Sequence, residues 1–293
     1  MANHFVGMRI FRTVLAEHRS SKFVAMELRM SLSIPLRTAS FVFVIVGMLS
    51  VASAETPAKK KLLLLGQGPD GHPPQTHEYV AGLQRLEKLL KQVPELEVEF
   101  VRADEPWTDG PQQLQKADGA VLFLAAGAKW IQADPRRLGA FAALAARGGG
   151  LSALHWGTGT KEAKDVEAFV RLLGGCHGGP DRRYKVLETE ARPAEPRHPI
   201  ATGIHPFRVR DEFYYQLKFA KASGTVHPVL EVLIDEQPQT VSWAWERPYG
   251  GRSFGFTGLH FDENWKLVEY RRLVTQGVLW TMRCGKPETL KLE

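Results

Sequence analysis

Short apolar runs alternate with segments of helical periodicity between residues 60 and 175, and this pattern limits the fold more than any other feature of the chain. The first run, residues 62–65, is four leucines bounded by a glycine, which is typical of a buried parallel strand. A loop rich in glycine and proline follows, after which Thr76 is predicted to cap a helix that Pro94 ends. The apolar residues at positions 79–93 recur three or four apart, so they lie on one helical face.

The same strand–helix unit recurs through this half of the chain. Further strands are predicted at residues 96–101, 120–124 and 151–154, and further helices at residues 134–147 and 165–173. Strands joined by helices run parallel, with right-handed crossovers that place helices on both faces of the sheet. The pattern therefore predicts an α/β fold: a three-layer sandwich around a mainly parallel, flavodoxin-like sheet.

The rhythm changes in the C-terminal half, from about residue 184. Few helices separate the next strand-like runs, which indicates an antiparallel arm; these runs are residues 184–188, 229–234, 240–245 and 253–256. Residues 267–283 have the pattern of a closing helix. Since no internal repeat or low-complexity linker interrupts them, residues 55–293 are predicted to form one domain.

Residues 1–54 have the features of an export signal. Residues 40–51 are apolar but shorter than the ~20 residues that a membrane-spanning helix needs. A basic residue precedes this run, and the small-x-small sequence at residues 52–54 follows it, as signal peptidase requires. We expect a cleaved signal peptide and an exported protein, periplasmic or extracellular, with no membrane span left. An uncleaved anchor is the alternative, and a start at Met30 would make residues 1–29 a mis-assigned extension.

The composition excludes several function classes. With 44% hydrophobic and 10% aromatic residues, the chain is neither disordered nor a coiled coil, and it is not a protein with many membrane spans. Six of the 38 basic and two of the 32 acidic residues lie in residues 1–54, which leaves 32 and 30 in the remainder. Because residues 55–293 are nearly neutral, the charge gives no support for nucleic-acid binding.

Five histidines are predicted to lie at the edge of the sheet where ligands of parallel α/β proteins bind. His72 and His77 follow the first predicted strand, His155 the fourth, His177 a helix stop at Gly-Gly, and His260 the last predicted strand. Neutral imidazole is a common metal ligand and an acid/base group near neutral pH. For His72 and His77, a purely structural hydrogen bond to a turn is an equal alternative.

The remaining three histidines of residues 55–293 each precede a proline. His198, His205 and His227 are therefore predicted to be extended-loop residues with a structural role.

Two adjacent acids followed by aromatic residues form the second candidate element. Asp211 and Glu212 precede Phe213 and Tyr214, and this order is predicted to direct one carboxylate and one phenol toward the histidines. The alternative is the solvated start of a strand. Trp156, next to the fourth strand, offers an aromatic face suited to a sugar ring, although most tryptophans of such a domain belong to the core.

Two familiar catalytic motifs do not occur in the sequence. It contains neither the GxxxxGK[ST] phosphate-binding loop nor HExxH. Cys176 and Cys284 are the only cysteines, and no spacing indicates a metal site or a disulfide framework. Both are interpreted as ordinary core residues, and whether they are bonded is left open.

The segments that carry these residues resemble the ThuA-like family, named for trehalose utilisation, which has the class I glutamine amidotransferase-like fold. They keep the family's order across nearly all of residues 55–293. The matching segments are GGGLSALHWGTG (148–159), LLGGCHGG (172–179), HPIATGI (198–204), RDEFYY (210–215), SWAWERPYGGRSFGFTGLHFDENW (242–265) and YRRLVTQGVLWTM (270–282).

The resemblance also maps onto single residues. His155 matches the family's strand-end histidine, Asp211 and Glu212 match its Asp-Glu-x-Tyr element, and His260 matches its late histidine before an acidic residue. His177 departs from the pattern, since the family's histidine more often lies a few residues further past the glycine pair.

The resemblance implies a small-molecule carbohydrate substrate, either a disaccharide or its oxidised 3-keto-glycoside. The residues expected to be catalytic, as acid/base groups or as ligands of a divalent metal, are His155, His260, Asp211 and Glu212. The residues expected to bind substrate are His72, His77, Trp156, His177 and Tyr214. Hydrolase and lyase chemistry, the identity of any metal and the oligomeric state stay open. A non-catalytic carbohydrate-binding module is the alternative, and an amidotransferase relative is disfavoured because the turn after the fourth strand carries a histidine where those enzymes have a cysteine.

Overall fold

The computed structural model describes residues 58–221, 224–285 and 289–292. The predicted signal peptide and its cleavage site lie outside these residues. Within the described ranges, no helix is both long and apolar enough to cross a membrane.

A nine-stranded sheet with the order β2-β1-β3-β4-β12-β11-β10-β7-β8 forms the centre of the fold. Its strands are β1 (Lys60–Gly66), β2 (Leu96–Arg102), β3 (Gly119–Phe123), β4 (Gly150–Leu154), β7 (Arg183–Pro193), β8 (Phe207–Tyr215), β10 (Val226–Ile234), β11 (Gln237–Glu246) and β12 (Arg252–Phe256). A small second sheet contains β5 (Gly159–Thr160), β6 (Gly175–Gly178) and β9 (Lys218–Phe219). Strands β1 to β4 pair in parallel, and β12 continues this direction beside β4.

Helices cover both faces of the parallel strands and complete the predicted three layers. They are α1 (Tyr79–Leu90), α2 (Gly110–Gln115), α3 (Gly127–Gln132), α4 (Pro135–Ala146), α5 (Val166–Leu173) and α6 (Val268–Met282). Alternate leucines of β1 belong to different cores: Leu62 and Leu64 pack with residues of α1 and α6, whereas Leu63 and Leu65 pack with residues of α2 to α5. This explains why the strand is a continuous apolar run.

The predicted antiparallel arm extends the same sheet. Strand β11 pairs antiparallel with both β12 and β10, and β10 and β8 pair antiparallel with β7. One core therefore runs from the parallel strands into the arm, because Phe254 and Phe256 of β12 are fully buried in the cluster that also contains Val209 and Phe213 of β8.

The predicted start of the first helix is wrong. Helix α1 begins at Tyr79, and the Thr76 hydroxyl donates to the Pro73 carbonyl at 2.6 Å, so it does not cap the helix. The reason is a tertiary contact, since Thr76 forms an antiparallel bridge with Phe261. By contrast, the predicted cap at Asp134 is confirmed, because its side chain accepts the backbone N–H of Arg136.

Two other local predictions also need correction. His227 lies within strand β10, not in a loop. His177 follows the Gly-Gly stop as predicted and lies within strand β6. Strand β8 contains Asp211 to Tyr214 in its second half, so these residues do not begin a strand. In each case, pairing with a strand distant in sequence decides the conformation, and local residue types carry little of that information.

Candidate functional site

Three imidazole rings from separate loops meet at the carboxyl edge of the parallel strands. His77 follows β1, His155 follows β4 and His260 follows β12. The Nε2 atom of His155 lies 2.9 Å from Nε2 of His77 and 3.3 Å from Nδ1 of His260, and the latter two atoms are 3.1 Å apart. Each ring therefore directs one nitrogen toward a common point.

Backbone contacts hold the loops of His77 and His260 together. The N–H of His77 donates to the carbonyl of His260 at 3.0 Å, one residue away from the bridge between Thr76 and Phe261. His77 has a left-handed backbone with φ 54°. Two histidines 183 residues apart in sequence thus become neighbours through the same short pairing.

His155 occupies a sharp turn directly after β4. Its backbone is left-handed, with φ 46°, and its side chain is fully buried. The turn passes so close to β3 that a Cβ atom on Gly157 would lie 2.7 Å from the carbonyl oxygen of Leu122, which explains the glycine there. The Nδ1 atom of His155 lies 2.9 Å from the carbonyl oxygen of Thr257 and is oriented by it.

Strand β8 adds a carboxylate and a phenol to the three rings. Glu212 Oε2 lies 3.4 Å from Nδ1 of His260 and 3.8 Å from Nε2 of His155. The hydroxyl of Tyr214 lies 3.1 Å from Nε2 of His155. Because successive side chains of a strand point to opposite faces, Glu212 and Tyr214 share a face and Asp211 points to the other.

Asp211 is buried and bonded to the chain around it. Its carboxylate accepts the backbone N–H groups of Leu259 and His260 at 2.7 and 3.1 Å, and the hydroxyl of Tyr270 at 3.0 Å. Burial raises its pKa to about 6, although the hydrogen bonds from Leu259 and Tyr270 act in the opposite direction. The structure therefore brings Asp211 to the loop that carries His260 and directs it away from the imidazole nitrogens.

Asp70 connects the cluster to the loop after β1. Its Oδ2 atom lies 2.8 Å from Nδ1 of His77 and accepts the hydroxyl of Tyr79 at 2.7 Å, while its Oδ1 atom lies 2.7 Å from Nδ1 of His72. Burial would raise the pKa of Asp70, but the hydrogen bonds from His77 and Tyr79 outweigh it and lower the pKa below its usual range. An ionised carboxylate only accepts hydrogen bonds, so Nδ1 of His77 carries the hydrogen.

Burial lowers the pKa of three imidazoles at the site. It lowers the pKa of His155 well below its usual range, with a further contribution from neighbouring His77. It also lowers the pKa of His260 to about 4 and that of His177 to about 3. Burial and the nearby Asp211 carboxylate raise the pKa of Glu212. Unprotonated imidazoles can accept a proton or bind a cation.

A cavity of about 200 Å³ opens beside the cluster. His77 and Glu212 form part of its wall; the other lining residues are His72, Trp156, Lys161, His177, Arg182, Tyr184 and Tyr214. The ring of Tyr214 stacks between His177, with centroids 4.0 Å apart, and His155, with centroids 4.8 Å apart. Polar and aromatic groups therefore surround a space next to the imidazole nitrogens.

Most residues predicted to form a site thus lie together. His77, His155, His260 and Glu212 offer ligand atoms that all lie within 4.8 Å of one another. The other residues predicted to form the site line the cavity outside this group of four: His72, Trp156, His177 and Tyr214.

The structure adds residues that sequence reasoning missed. Asp70 and Tyr79 contact His77, the Thr257 carbonyl orients His155, and Lys161 and Arg182 line the cavity. The only sequence signal for Asp70 is its position in the loop two residues before one histidine and seven before another.

Two further histidines and both cysteines of the described residues lie outside the imidazole cluster. The rings of His198 and His227 are 5.4 Å apart, and His227 contacts Glu195. Cys176 and Cys284 are free, and burial raises the pKa of the Cys176 thiol to about 12. A thiol of this kind is a poor nucleophile, which agrees with the low support for amidotransferase chemistry.

Comparison with known proteins decides the family. The family model of ThuA, described as trehalose utilisation, matches residues 70–281, which include every residue of the imidazole cluster. The chain belongs to the ThuA family. Among curated proteins, no sequence match was found.

Solved structures confirm the fold. A ThuA-like protein from Bacteroides uniformis superposes with a TM-score of 0.60 at 14% identity, over 78% of this chain and 94% of that one. A ThuA-like protein from Parabacteroides merdae gives 0.57 at 14% identity, over 76% and 90%. A β-galactosidase from Rahnella sp. R3 gives 0.50 at 12% identity, over 78% of this chain but only 32% of that one. At these identities the ThuA chain shares a fold with them, and a shared fold does not transfer activity.

Proposed function

We propose that this ThuA protein is an exported enzyme of carbohydrate utilisation that acts on a disaccharide or its 3-keto-glycoside. The observation that carries the proposal is the convergence of His77, His155 and His260 with Glu212 at the wall of an open cavity. The family's description, trehalose utilisation, supports a sugar as the substrate class.

The chemistry of the cluster suits proton transfer to and from a sugar. The pKa of His155 and that of His260 are lowered by burial, so both imidazoles are unprotonated at neutral pH and can either accept a proton or bind a divalent metal. The Tyr214 hydroxyl, next to His155, is a neutral donor because burial raises its pKa. A 3-keto group makes the hydrogen on the neighbouring sugar carbon acidic, so a base and a nearby donor are the groups that such a substrate needs.

The walls of the cavity suit a polyhydroxylated ring. Trp156 and Tyr214 provide aromatic faces, with ring centroids 5.8 Å apart, and Lys161 and Arg182 provide hydrogen-bond donors. The signal-peptide pattern of residues 1–54 supports export, which would bring the enzyme into contact with extracellular sugars.

The test is turnover followed by NMR on the purified chain. Trehalose, other disaccharides and their 3-keto forms would each be incubated with the wild-type protein, with and without divalent metal. The comparison variants are His155→Ala, which removes the buried ring, and His227→Ala, which removes a histidine that contacts Glu195 outside the cavity. Circular dichroism would first establish that both variants fold.

Product formation that disappears in His155→Ala and persists in His227→Ala is the expected result. Saturable binding of the same sugars without turnover, under every metal condition, would contradict the enzyme and support a carbohydrate-binding module instead.

A further inference from the structure

We propose that His77, His155, His260 and Glu212 form a binding centre for one divalent transition-metal ion. The inference deepens the proposed function and rests on it for the role of the ion in turnover, but metal binding itself can be measured without any sugar. Its basis is the hydrogen-bond partners of the rings, the spacing of the ligand atoms and the contacts behind them.

The hydrogen-bond partners fix the tautomers of two of the rings. Nδ1 of His77 faces the carboxylate of Asp70 at 2.8 Å, and Nδ1 of His155 faces the carbonyl oxygen of Thr257 at 2.9 Å. Both partners only accept hydrogen bonds, so both Nδ1 atoms carry the hydrogen. When such a ring is neutral, its Nε2 atom therefore has a lone pair and no hydrogen.

These two lone pairs face each other at close range. The Nε2 atoms of His77 and His155 are 2.9 Å apart, and Nδ1 of His260 lies within 3.3 Å of both. Two acceptors at this distance repel unless a positive charge lies between them. A single proton can bridge only one pair of nitrogens, whereas a cation can satisfy all three together with the carboxylate of Glu212.

The spacing agrees with a shared ion. Zn–N bonds of about 2.0–2.1 Å in a tetrahedral site place neighbouring ligand atoms about 3.3 Å apart. The nitrogen pairs here are 2.9 to 3.3 Å apart, and Glu212 Oε2 lies 3.4 and 3.8 Å from two of them. Three imidazoles and one carboxylate select a borderline transition ion over Ca²⁺ or Mg²⁺, which prefer oxygen ligands.

Asp70 and His72 orient this centre and do not form a second one. Asp70, His72 and His77 also lie within ligand distance of one another. However, Nδ1 of His77 donates to Asp70 and is unavailable to an ion on that side, and Tyr79 occupies Oδ2 of the same carboxylate. A carboxylate behind a metal-binding histidine fixes the ring and increases its basicity, which is the position of Asp70.

An ion at this centre would lie at the wall of the substrate cavity, because His77 and Glu212 also line it. When bound there, it would supply Lewis-acid polarisation of a sugar carbonyl or hydroxyl. The chain's own residues would hold and align the substrate beside it, with Tyr214 stacked between His155 and His177.

The experiment is metal stoichiometry and affinity on the full chain, without substrate. The protein would be stripped with a chelator and titrated separately with Zn²⁺, Mn²⁺ and Ni²⁺, and bound metal would be counted by mass spectrometry after gel filtration. The test variants are His260→Ala and Glu212→Gln. The matched controls are His227→Ala and Glu195→Gln, because His227 and Glu195 form an imidazole–carboxylate contact of 3.0 Å outside the cluster. His260 is preferred to His155 here because it is less buried, so the variant folds more readily.

We expect about one equivalent of at least one of these ions in the wild type and in both controls. Dissociation constants should rise by about 100-fold or more in His260→Ala and Glu212→Gln, because each removes a direct ligand. In the Co²⁺-loaded protein, the visible d–d bands of a low-coordinate nitrogen–oxygen site should appear and should be lost in the test variants.

Failure to bind any of the three ions, or equal affinity in His260→Ala and the wild type, would overturn the metal centre. Either result would leave the turnover assay to decide the proposed function separately. Conversely, metal binding without turnover of any sugar would contradict the proposed function and leave the metal centre standing.

Discussion

Two groups of neighbouring histidines in this chain show what distinguishes a candidate site from ordinary packing. In the first, His77, His155 and His260 each direct one nitrogen toward the other two rings beside a cavity. In the second, the rings of His198 and His227 lie 5.4 Å apart, but Nδ1 of His198 accepts the backbone N–H of Ile200 and Nδ1 of His227 faces Glu195. Proximity is common to both groups, and only the first directs three nitrogens toward a common point.

The difference follows from where the rings are attached. Members of the first group extend from three loops at the carboxyl edge of the sheet, where backbone bends free the side chains to converge. The second group is held by a strand and a short 3₁₀ turn, whose partners are nearby backbone and surface groups. Substitutions that affect one group and spare the other are therefore the sharpest tests.

The largest expected effect is on turnover. His155→Ala should lower kcat/KM by about 10³-fold or more, since it removes a group that accepts or coordinates at the reacting centre. His227→Ala should stay within about two-fold of the wild type, as expected for a residue far from the chemistry. Comparable losses in the two variants, in initial-rate assays on folded protein, would remove the distinction between the groups.

The next effect separates two adjacent carboxylates of β8. Asp211→Asn should lower the free energy of unfolding by about 2–3 kcal/mol, because its amide would oppose a buried N–H or hydroxyl that Asp211 now satisfies. Glu212 lines the cavity, so Glu212→Gln should change the free energy of unfolding by less than about 1 kcal/mol in metal-free protein. Urea unfolding in the presence of a chelator measures both, and a reversed order would contradict the division of roles.

A smaller effect, on metal affinity, is expected for Asp70, which contacts His77 on the side away from the other two rings. Asp70→Asn should weaken Zn²⁺ binding by about 10- to 100-fold, because the neutral amide orients His77 without increasing its basicity. The matched control is Asp104→Asn, which changes a carboxylate held by Arg102 and the Gly68 N–H near the same edge. Competition titration with a fluorescent chelator gives both constants, and an unchanged constant in Asp70→Asn would show that Asp70 has no orienting role.

The last expected effect is the acid dependence of stability contributed by His177. Its pKa is about 3 in the fold because of burial, and an unfolded imidazole titrates near 6.5, so the unfolded chain binds a proton first as the pH falls. The stability is fully present above 6.5 and decreases between 6.5 and 3, by up to about 1.4 kcal/mol per pH unit. Metal-free His177→Gln should therefore lose less stability than the wild type between pH 7 and pH 5. Parallel losses would contradict the assignment.

Much of the fold is predictable from local pattern. Strands such as β1 and β4 are continuous apolar runs, and Asp134 with Pro135 marks the start of α4, so their positions agree within one or two residues. The prediction that Thr76 caps the first helix is wrong because threonine suits both a helix cap and a strand bridge. In the structure Thr76 pairs with Phe261. That choice depends on a residue far along the chain.

The candidate site is predictable in its histidines and much less so in their partners. A histidine at or shortly after the end of a buried strand reaches the sheet edge, which applies to His155, directly after β4, and to His260, four residues after β12. Whether Glu212 or Asp211 faces the rings depends on the register of β8, and Asp70 lies in an irregular loop with no periodic signal. Those positions follow from long-range pairing, which one sequence does not reveal.

The most direct test of the central claim, that three imidazoles and Glu212 act as one centre, is anomalous diffraction at the zinc edge from crystals of the chain soaked in Zn²⁺. We predict one strong peak enclosed by His77, His155 and His260, with bonds of about 2.0–2.1 Å to their cluster-facing nitrogens and to Glu212. A peak beside His198 and His227, or none at the cluster while zinc binds elsewhere on the surface, would contradict the account.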